Sequence, residues 1–181
     1  MVLKLIEKDV NHLDLEKNLY QKWLDKNLFE AQPKEKKEKI SMMMPPPNVT
    51  GTLHIGHALN MTLQDILARY WRMNKKDVLW QPGTDHAGIA TQKIVESNIK
   101  SETNLSKDDV GKENFIKKVW EWKKKSGDRI INQIKRLGAS PDWKRQRFTL
   151  DKDMSDAVNY TFIELFKKGL IYKDKRLVNW D

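Results

Sequence analysis

Residues 45–57 read Pro45-Pro-Pro-Asn-Val-Thr-Gly-Thr-Leu-His-Ile-Gly-His57 and connect a short apolar run to a helical pattern. The apolar run, residues 40–44, predicts a buried strand that ends at proline, which lacks the amide donor that a sheet needs. Gly51 provides the backbone freedom for a turn. From about Gly56 the apolar residues fall on one face of a helix, at Leu59, Leu63, Ile66, Leu67 and Tyr70. This segment therefore predicts a strand, a glycine turn and a helix.

A second strand is predicted at residues 77–81, ended by Pro82-Gly83, and a helix follows from about Ala87 to Asn98. The order strand, turn, helix, strand, helix predicts an α/β fold, in which flanking helices cover a parallel sheet. Ligands of such sheets bind at the carboxyl ends of the strands. We therefore expect the loops 45–57 and 82–92 to form one site.

Further elements are predicted on both sides of this unit. They are an amphipathic helix over 13–28 capped by Asp14, a polar connection over 101–109, one long or two short helices over 116–137 with Gly127 as the possible break, a helix over 154–168, and short strands at 171–172 and 177–178. Gly138 and Gly169 follow helical patterns and are placed to end them.

The composition restricts the class of protein. The 181 residues include 34 Lys plus Arg, 25 Asp plus Glu and no cysteine, with a net charge of +9. The lack of cysteine excludes disulfides and thiolate metal sites and favours a cytoplasmic location. No apolar run approaches the length of a membrane span, so no membrane partner is expected. The basic excess suits RNA, although lysines mixed with glutamates, as in residues 34–39, are also typical of a solvated linker.

The chemistry of residues 45–57 points to phosphate. Gly56 stands at a helix N-terminus, where free amides and the helix dipole attract anions. A P-loop is excluded because His57 and Ala58 occupy the positions of its lysine and hydroxyl. His54 and His57 can instead donate hydrogen bonds to phosphate oxygens as charge builds up. The alternative is that both histidines are ordinary residues of a helix start.

Asp85, a possible metal site and the basic residues near Trp143 each have alternative interpretations. Asp85 either binds a cationic group or caps the helix that follows. A metal site is a weaker alternative for four side chains, His54, His57, Asp85 and His86. Stacking and charge suit RNA at Trp143, Arg145 and Arg147, and a surface strand or helix edge is the alternative there.

His54-Ile-Gly-His57 matches the signature of the class I aminoacyl-tRNA synthetases, which this chain resembles. Residues 45–51 and 83–92 are similar to the valyl-tRNA synthetases. Isoleucyl and leucyl relatives typically carry Gly-Trp-Asp where this chain has Gly83-Thr-Asp85, so Thr84 points towards the valine enzymes. Similar stretches recur at 15–31, 136–138, 142–143, 147–149 and 175–181. The resemblance covers nearly the whole chain.

This resemblance implies a Rossmann-like catalytic domain over 40–181, in its N-terminal half, preceded by a helical extension and linker over 1–39. It implies a valine–tRNA ligase, which joins valine to ATP, with Mg²⁺ on the phosphates, and passes the valyl group to tRNA-Val. The catalytic residues would be His54 and His57. ATP would contact Thr50, Gly51, His54, Gly56 and His57. Valine would contact Pro46, Asn48 and Asp85.

The chain also departs from the pattern of these synthetases. They are several times longer, and their second signature, Lys-Met-Ser-Lys-Ser, does not occur here. We expect an N-terminal fragment that ends where the editing domain would be inserted, that binds ATP and valine weakly, and whose partners include the remaining C-terminal part. Two alternatives are a non-catalytic nucleotide- or RNA-binding module and a metal-dependent enzyme.

Overall fold

The computed structural model describes residues 11–16, 18–33 and 36–179, and its elements alternate as an α/β fold requires. The helices are α1 (His12–Glu16), α2 (Leu19–Asp25), α3 (Ile55–Met73), α4 (Gly88–Thr103), α5 (Lys107–Val110), α6 (Lys112–Arg136) and α7 (Lys152–Lys167). The strands are β1 (Lys39–Met43), β2 (Asp77–Gln81), β3 (Gly83–Thr84) and β4 (Arg147–Phe148), and a 3₁₀ turn spans Trp143–Arg145.

Strands β1 and β2 are paired in parallel, with α3 as the connection between them. The register places Lys39 opposite Asp77 and Met43 opposite Gln81. Strands β3 and β4 form a second parallel pair. The predicted parallel sheet with flanking helices is therefore confirmed, as is the strand, turn and helix order of residues 40–73.

The pairing of the first two strands continues beyond the three prolines that follow β1. Met44 N donates to Gln81 O at 2.9 Å before the interruption. Asn48 then bridges to Asp85 in the same parallel sense. Asp85 N donates to Pro47 O at 2.8 Å, and Val49 N donates to Asp85 O at 2.9 Å. The pairing therefore resumes in the same parallel sense but with its register shifted by one residue, since partners in β1 and β2 are 38 positions apart and Asn48 and Asp85 are 37 apart.

The core lies where α3 and α6 cover these strands. Trp80 of β2 is fully buried, and its indole N–H donates to Gln64 Oε1 at 2.8 Å, which satisfies the polar atom of a large apolar side chain. The core cluster consists of Met44, Val49, Met61, Ala68, Val78, Trp80, Ile130, Ile134, Ala139 and Phe148.

Helix α3 forms as predicted, but its regular apolar face is exposed. The five residues that define that face are 49–61 % exposed. The helix instead buries Met61 and Ala68, which belong to the core cluster. Periodicity thus located the helix but not the face that packs on the sheet.

The helix predicted over 13–28 was wrong in its extent. The described residues form two short helices, α1 and α2, and the second ends at Asp25. The chain leaves the helix because Asn27 adopts φ +52°, after which Leu28 N donates to Trp23 O at 3.2 Å. Asn11 rather than Asp14 caps α1, since Asn11 Oδ1 accepts from Leu13 N at 3.1 Å.

Residues 18–33 pack on the rest of the molecule through buried polar contacts. Tyr20 Oη donates to Ala139 O at 2.5 Å and accepts from Trp143 Nε1 at 2.7 Å. Burial raises the pKa of the Tyr20 phenol to about 12. Asp142, itself buried, accepts from Ala31 N at 3.1 Å. The segment is therefore anchored to the turn that precedes β4.

The remaining elements differ from the predictions mainly in their ends. Helix α6 runs unbroken through Gly127, so the alternative of one long helix is correct and that of two short helices is wrong. Helix α4 extends to Thr103, and α5 occupies part of the predicted connection over 101–109. Residues 171–172 and 177–178 are not strands. In the described ranges, no helix is long and apolar enough to cross a membrane.

Gly127, within α6, and Gly138, just after its end, should respond to alanine in opposite directions. Gly127 is helical, and a Cβ there meets no heavy atom within 4 Å, so Gly127→Ala should raise the free energy of unfolding by about 1 kcal/mol. Gly138 has φ +73° just after the helix, so Gly138→Ala should lower it by about 1 kcal/mol. Urea unfolding measures both, and a loss of stability in Gly127→Ala would contradict the packing described here.

Candidate functional site

A cleft of about 590 Å³ opens at the carboxyl end of β1. It is lined by Pro45, Pro46, Pro47, Asn48, Thr50, Gly51, Thr52, Leu53, His54 and His57. The structure thus brings together six of the residues that sequence singled out. Gly56 and Asp85 do not line the cleft, but each contacts a residue that does.

His54 and His57 cap the N-terminus of α3 reciprocally. His54 is the N-cap residue, and its Nδ1 accepts from Gly56 N at 3.1 Å. His57 Nδ1 accepts from His54 N at 3.3 Å. The two ring centroids are 4.0 Å apart. Because each Nδ1 is an acceptor, each neutral ring carries its proton on Nε2, which leaves two N–H donors side by side at the positive end of a helix dipole.

This geometry changes the role of Gly56. The sequence suggested free amides at this helix start, whereas Gly56 N is already donated to His54. A Cβ on Gly56 would lie 3.0 Å from His54 Cε1 and 3.1 Å from its Nδ1. A larger residue here would therefore push the His54 ring away from its place over the helix end.

The same environment lowers the pKa of His57. Burial of the ring is the larger cause, and the neighbouring His54 is the second. Both effects disfavour the imidazolium. His57 is accordingly neutral near pH 7, in the form that accepts at Nδ1 and donates at Nε2.

Asp85 is held beside Asn48 by the parallel bridge that follows the prolines. Its Oδ1 accepts from Ala87 N at 2.7 Å. The residue at the N-cap of α4 is Ala87, with φ +42° and no side-chain cap. Asp85 is therefore not the helix cap. It stabilises the turn before the helix, and its side chain remains 37 % exposed, accessible to a cation.

The next residue, His86, has its Nδ1 3.5 Å from Asp85 Oδ1 and also contacts Thr149. Its backbone N donates to Thr149 Oγ1 at 2.9 Å, and its Nδ1 lies 2.6 Å from the same oxygen. In residues 11–16, 18–33 and 36–179, no three His, Cys, Asp or Glu side chains are grouped as metal ligands. The four side chains considered for a metal lie as two pairs, His54 with His57 and Asp85 with His86.

The basic and aromatic residues after α6 have partners within the chain. Arg145 forms an ion pair with the buried Asp142, and Arg147 Nε lies 3.0 Å from Asp153 Oδ2. Trp143 packs against the core cluster. All three side chains therefore have structural partners within the chain.

Sequence reasoning missed three residues of α6 that contact the loop 49–53 beside the cleft. Trp122 Nε1 donates to Val49 O, Ser126 Oγ donates to Gly51 O, and Gln133 Oε1 accepts from Leu53 N. Their only signal in the sequence is that they lie on one face of the helix. No motif connects them with residues 49–53.

The family model "tRNA synthetases class I (I, L, M and V)" matches residues 18–181. The chain belongs to this family. The resemblance stated from His54-Ile-Gly-His57 and its surroundings is therefore confirmed. The enzymes of this family use ATP.

Relatives in this family are similar over most of the chain. Valine–tRNA ligases from Pelagibacter ubique and Rhodopseudomonas palustris are 55 % and 54 % identical over 170 and 179 residues, covering 94 % and 98 % of this chain. The valine–tRNA ligase of Francisella tularensis is 53 % identical over 176 residues. In each case this chain spans 19 % of the relative's length.

A solved structure supports the fold independently of close sequence similarity. The crystal structure of an Agrobacterium radiobacter LeuRS–tRNA–LeuAMS ternary complex superposes with a TM-score of 0.73 over 92 % of this chain and 19 % of that chain, at 23 % identity. The α/β architecture of the class I synthetases is therefore shared.

The histidine pair should give a pH-dependent signal. The folded-state pKa of His57 is lowered, so the bond from His54 N to His57 Nδ1 is present above the ordinary histidine pKa of about 6.5 and is lost only as the pH falls below it. We expect ¹⁵N–¹H NMR to show His57 titrating below 6.5, with faster exchange of the His54 amide once it does.

The variant His54→Ala provides the control for this titration. It removes the secondary cause of the shift, so the pKa of His57 should move part of the way back to its ordinary value. A His57 that titrates above 6.5 in the parent chain would contradict the reciprocal capping.

Proposed function

We propose that this chain forms part of a valine–tRNA ligase, in which its cleft binds ATP and valine. One observation carries the proposal: the parallel bridge between Asn48 and Asp85 places an amide and a carboxylate next to the loop that ends in His54 and His57. A phosphate-binding end and an ammonium-binding end thus lie next to each other, beyond the carboxyl ends of β1 and β2. We choose valine as the amino acid because the relatives are valine–tRNA ligases.

At the phosphate end, the substrate is ATP with its Mg²⁺. The valine carboxylate oxygen attacks the α-phosphorus and forms a P–O bond, while the bond to the β-phosphate oxygen breaks and pyrophosphate leaves. The Nε2–H groups of His54 and His57 donate to phosphate oxygens as negative charge accumulates there. Thr50 and Gly51 line the same cleft and bind the nucleotide. Gly56 keeps the His54 ring in place.

At the amino-acid end, the Asp85 carboxylate and the Asn48 side chain bind the valine ammonium. Pro46 lines the cleft and contacts the valine side chain. No side chain forms a covalent intermediate, so the rate enhancement comes from positioning and electrostatics. The valyl group then passes to tRNA-Val, in the cytoplasm, where tRNA is used.

The chain spans 19 % of the length of the relatives, and the two steps are proposed for a complete synthetase in which these residues form one side of the active site. Residues 40–181 are proposed as the N-terminal half of its catalytic domain. Residues 1–39 are proposed as an extension, and the described part of it packs on the turn before β4.

The test is valine-dependent exchange of labelled pyrophosphate into ATP. It is run with this chain alone and with the chain supplemented by the remaining polypeptide of a relative. His54→Ala and His57→Ala should each reduce exchange about 100-fold, because each removes a donor to the transition state. Thr62→Ala, an exposed position on the same helix, should leave the rate unchanged.

Controls with other amino acids decide the substrate. Exchange as fast with isoleucine as with valine would refute the choice of valine. ATP binding without any exchange, in both preparations, would support the non-catalytic nucleotide-binding module instead.

Asp85→Asn should separate the two ends of the site. Asparagine keeps the acceptor for Ala87 N but loses the charge, so the Kd for valine should rise at least ~10-fold while the Kd for ATP stays within about 2-fold. Titration of each ligand by calorimetry measures both. An equal loss of ATP affinity would show that Asp85 only maintains the loop.

A further inference from the structure

The loop between Val49 and Leu53 is held by side chains of a distant helix. Trp122 Nε1 donates to Val49 O at 2.9 Å. Ser126 Oγ donates to Gly51 O at 3.3 Å. Leu53 N donates to Gln133 Oε1 at 3.0 Å. The contacts thus fall on every second residue of the loop.

The three side chains lie on one face of α6. Positions 122, 126 and 133 are four and seven residues apart, and these spacings return to the same side of an α-helix. The helix is continuous over Lys112–Arg136, so the three contacts are fixed relative to one another. A rigid element therefore sets the path of the loop.

The loop has few bonds of its own. In the part of the chain that the structure describes, the amides of residues 50–53 donate no backbone–backbone hydrogen bond. The prolines before the loop cannot donate at all. Backbone groups left without partners are costly to bury, and the α6 side chains provide three of those partners. The shape of the loop depends on them.

Leu53 is the residue next to His54, whose own amide donates to His57 Nδ1. The bond to Leu53 N therefore fixes the peptide plane between Thr52 and Leu53, one residue before the histidine pair. From this geometry we infer that Trp122, Ser126 and Gln133 are positioning residues for the phosphate-binding loop, with Gln133 setting the approach of His54. The inference rests on the proposed ATP site and adds the element that holds it in shape.

The test compares Gln133→Met with Gln133→Glu. Methionine has a similar length but no strong acceptor, whereas glutamate keeps an oxygen at the same place. Asn132→Met, an exposed neighbour on the same helix, is the matched control. The measurements are amide exchange at Leu53 and His54 by NMR, affinity for ATP and for adenosine, and cooperative thermal unfolding.

We expect Gln133→Met to unfold cooperatively, to exchange faster at both amides, and to bind ATP about tenfold more weakly, as the loss of one hydrogen bond implies. Its affinity for adenosine, which lacks phosphates, should not change. Gln133→Glu should restore the protection of both amides, and Asn132→Met should behave as the parent chain.

An unchanged ATP affinity in Gln133→Met would overturn the inference. So would equal losses for ATP and adenosine, or a failure of Gln133→Glu to restore protection. A parent chain that binds no ATP would count against the proposed function instead. The amide exchange of the variants would then still decide whether Gln133 positions the loop.

Discussion

The parallel pairing of residues 39–49 with residues 77–85 is the constraint on which the site depends. Strand β1 cannot continue through three prolines, which have no amide to donate. The pairing nevertheless resumes at Asn48 and Asp85 in the same sense. Two residues 37 positions apart in sequence thereby become neighbours, and the loop that follows Asn48 begins from a fixed point. Without this continuity, the polar groups after β1 and after β2 would not share an edge.

From that fixed point, the loop reaches a helix that caps itself. Helix N-termini leave amides without partners, and here the side chains of two histidines satisfy them in place of serine or aspartate. Because each Nδ1 accepts a backbone hydrogen bond, the proton of each neutral ring is on Nε2. Burial lowers the pKa of His57 and so favours its neutral form. The same contacts that end the helix therefore orient the donors of the site. In the proposed function, these two residues combine a structural and a chemical role.

The long helix α6 contributes both to the hydrophobic core and to the shape of the loop 49–53. Ile130 and Ile134 fill the core, while Trp122, Ser126 and Gln133 bond to the loop. A helix whose exposed surface is rich in lysine thus uses one face for both stability and shape. The strands and α3 fix the two ends of the loop 49–53, and the side chains of α6 hold the loop between them.

The sequence by itself determined the family and several of the local elements. Apolar runs ended by proline located β1 and β2, helical spacing located α3 and α7, and Gly138 and Gly169 ended helices at positive φ, because these features depend on neighbours in the chain. The block from Pro45 to His57 was sufficient to indicate the family. Tertiary structure decided which face of α3 is buried, since periodicity shows where apolar residues lie but not what covers them. It also decided that Gly56 N is occupied, that Asp85 supports a turn rather than a helix, and that Gln133 bonds to Leu53, 80 residues earlier. These outcomes depend on distances between segments, and a linear pattern carries no record of such distances.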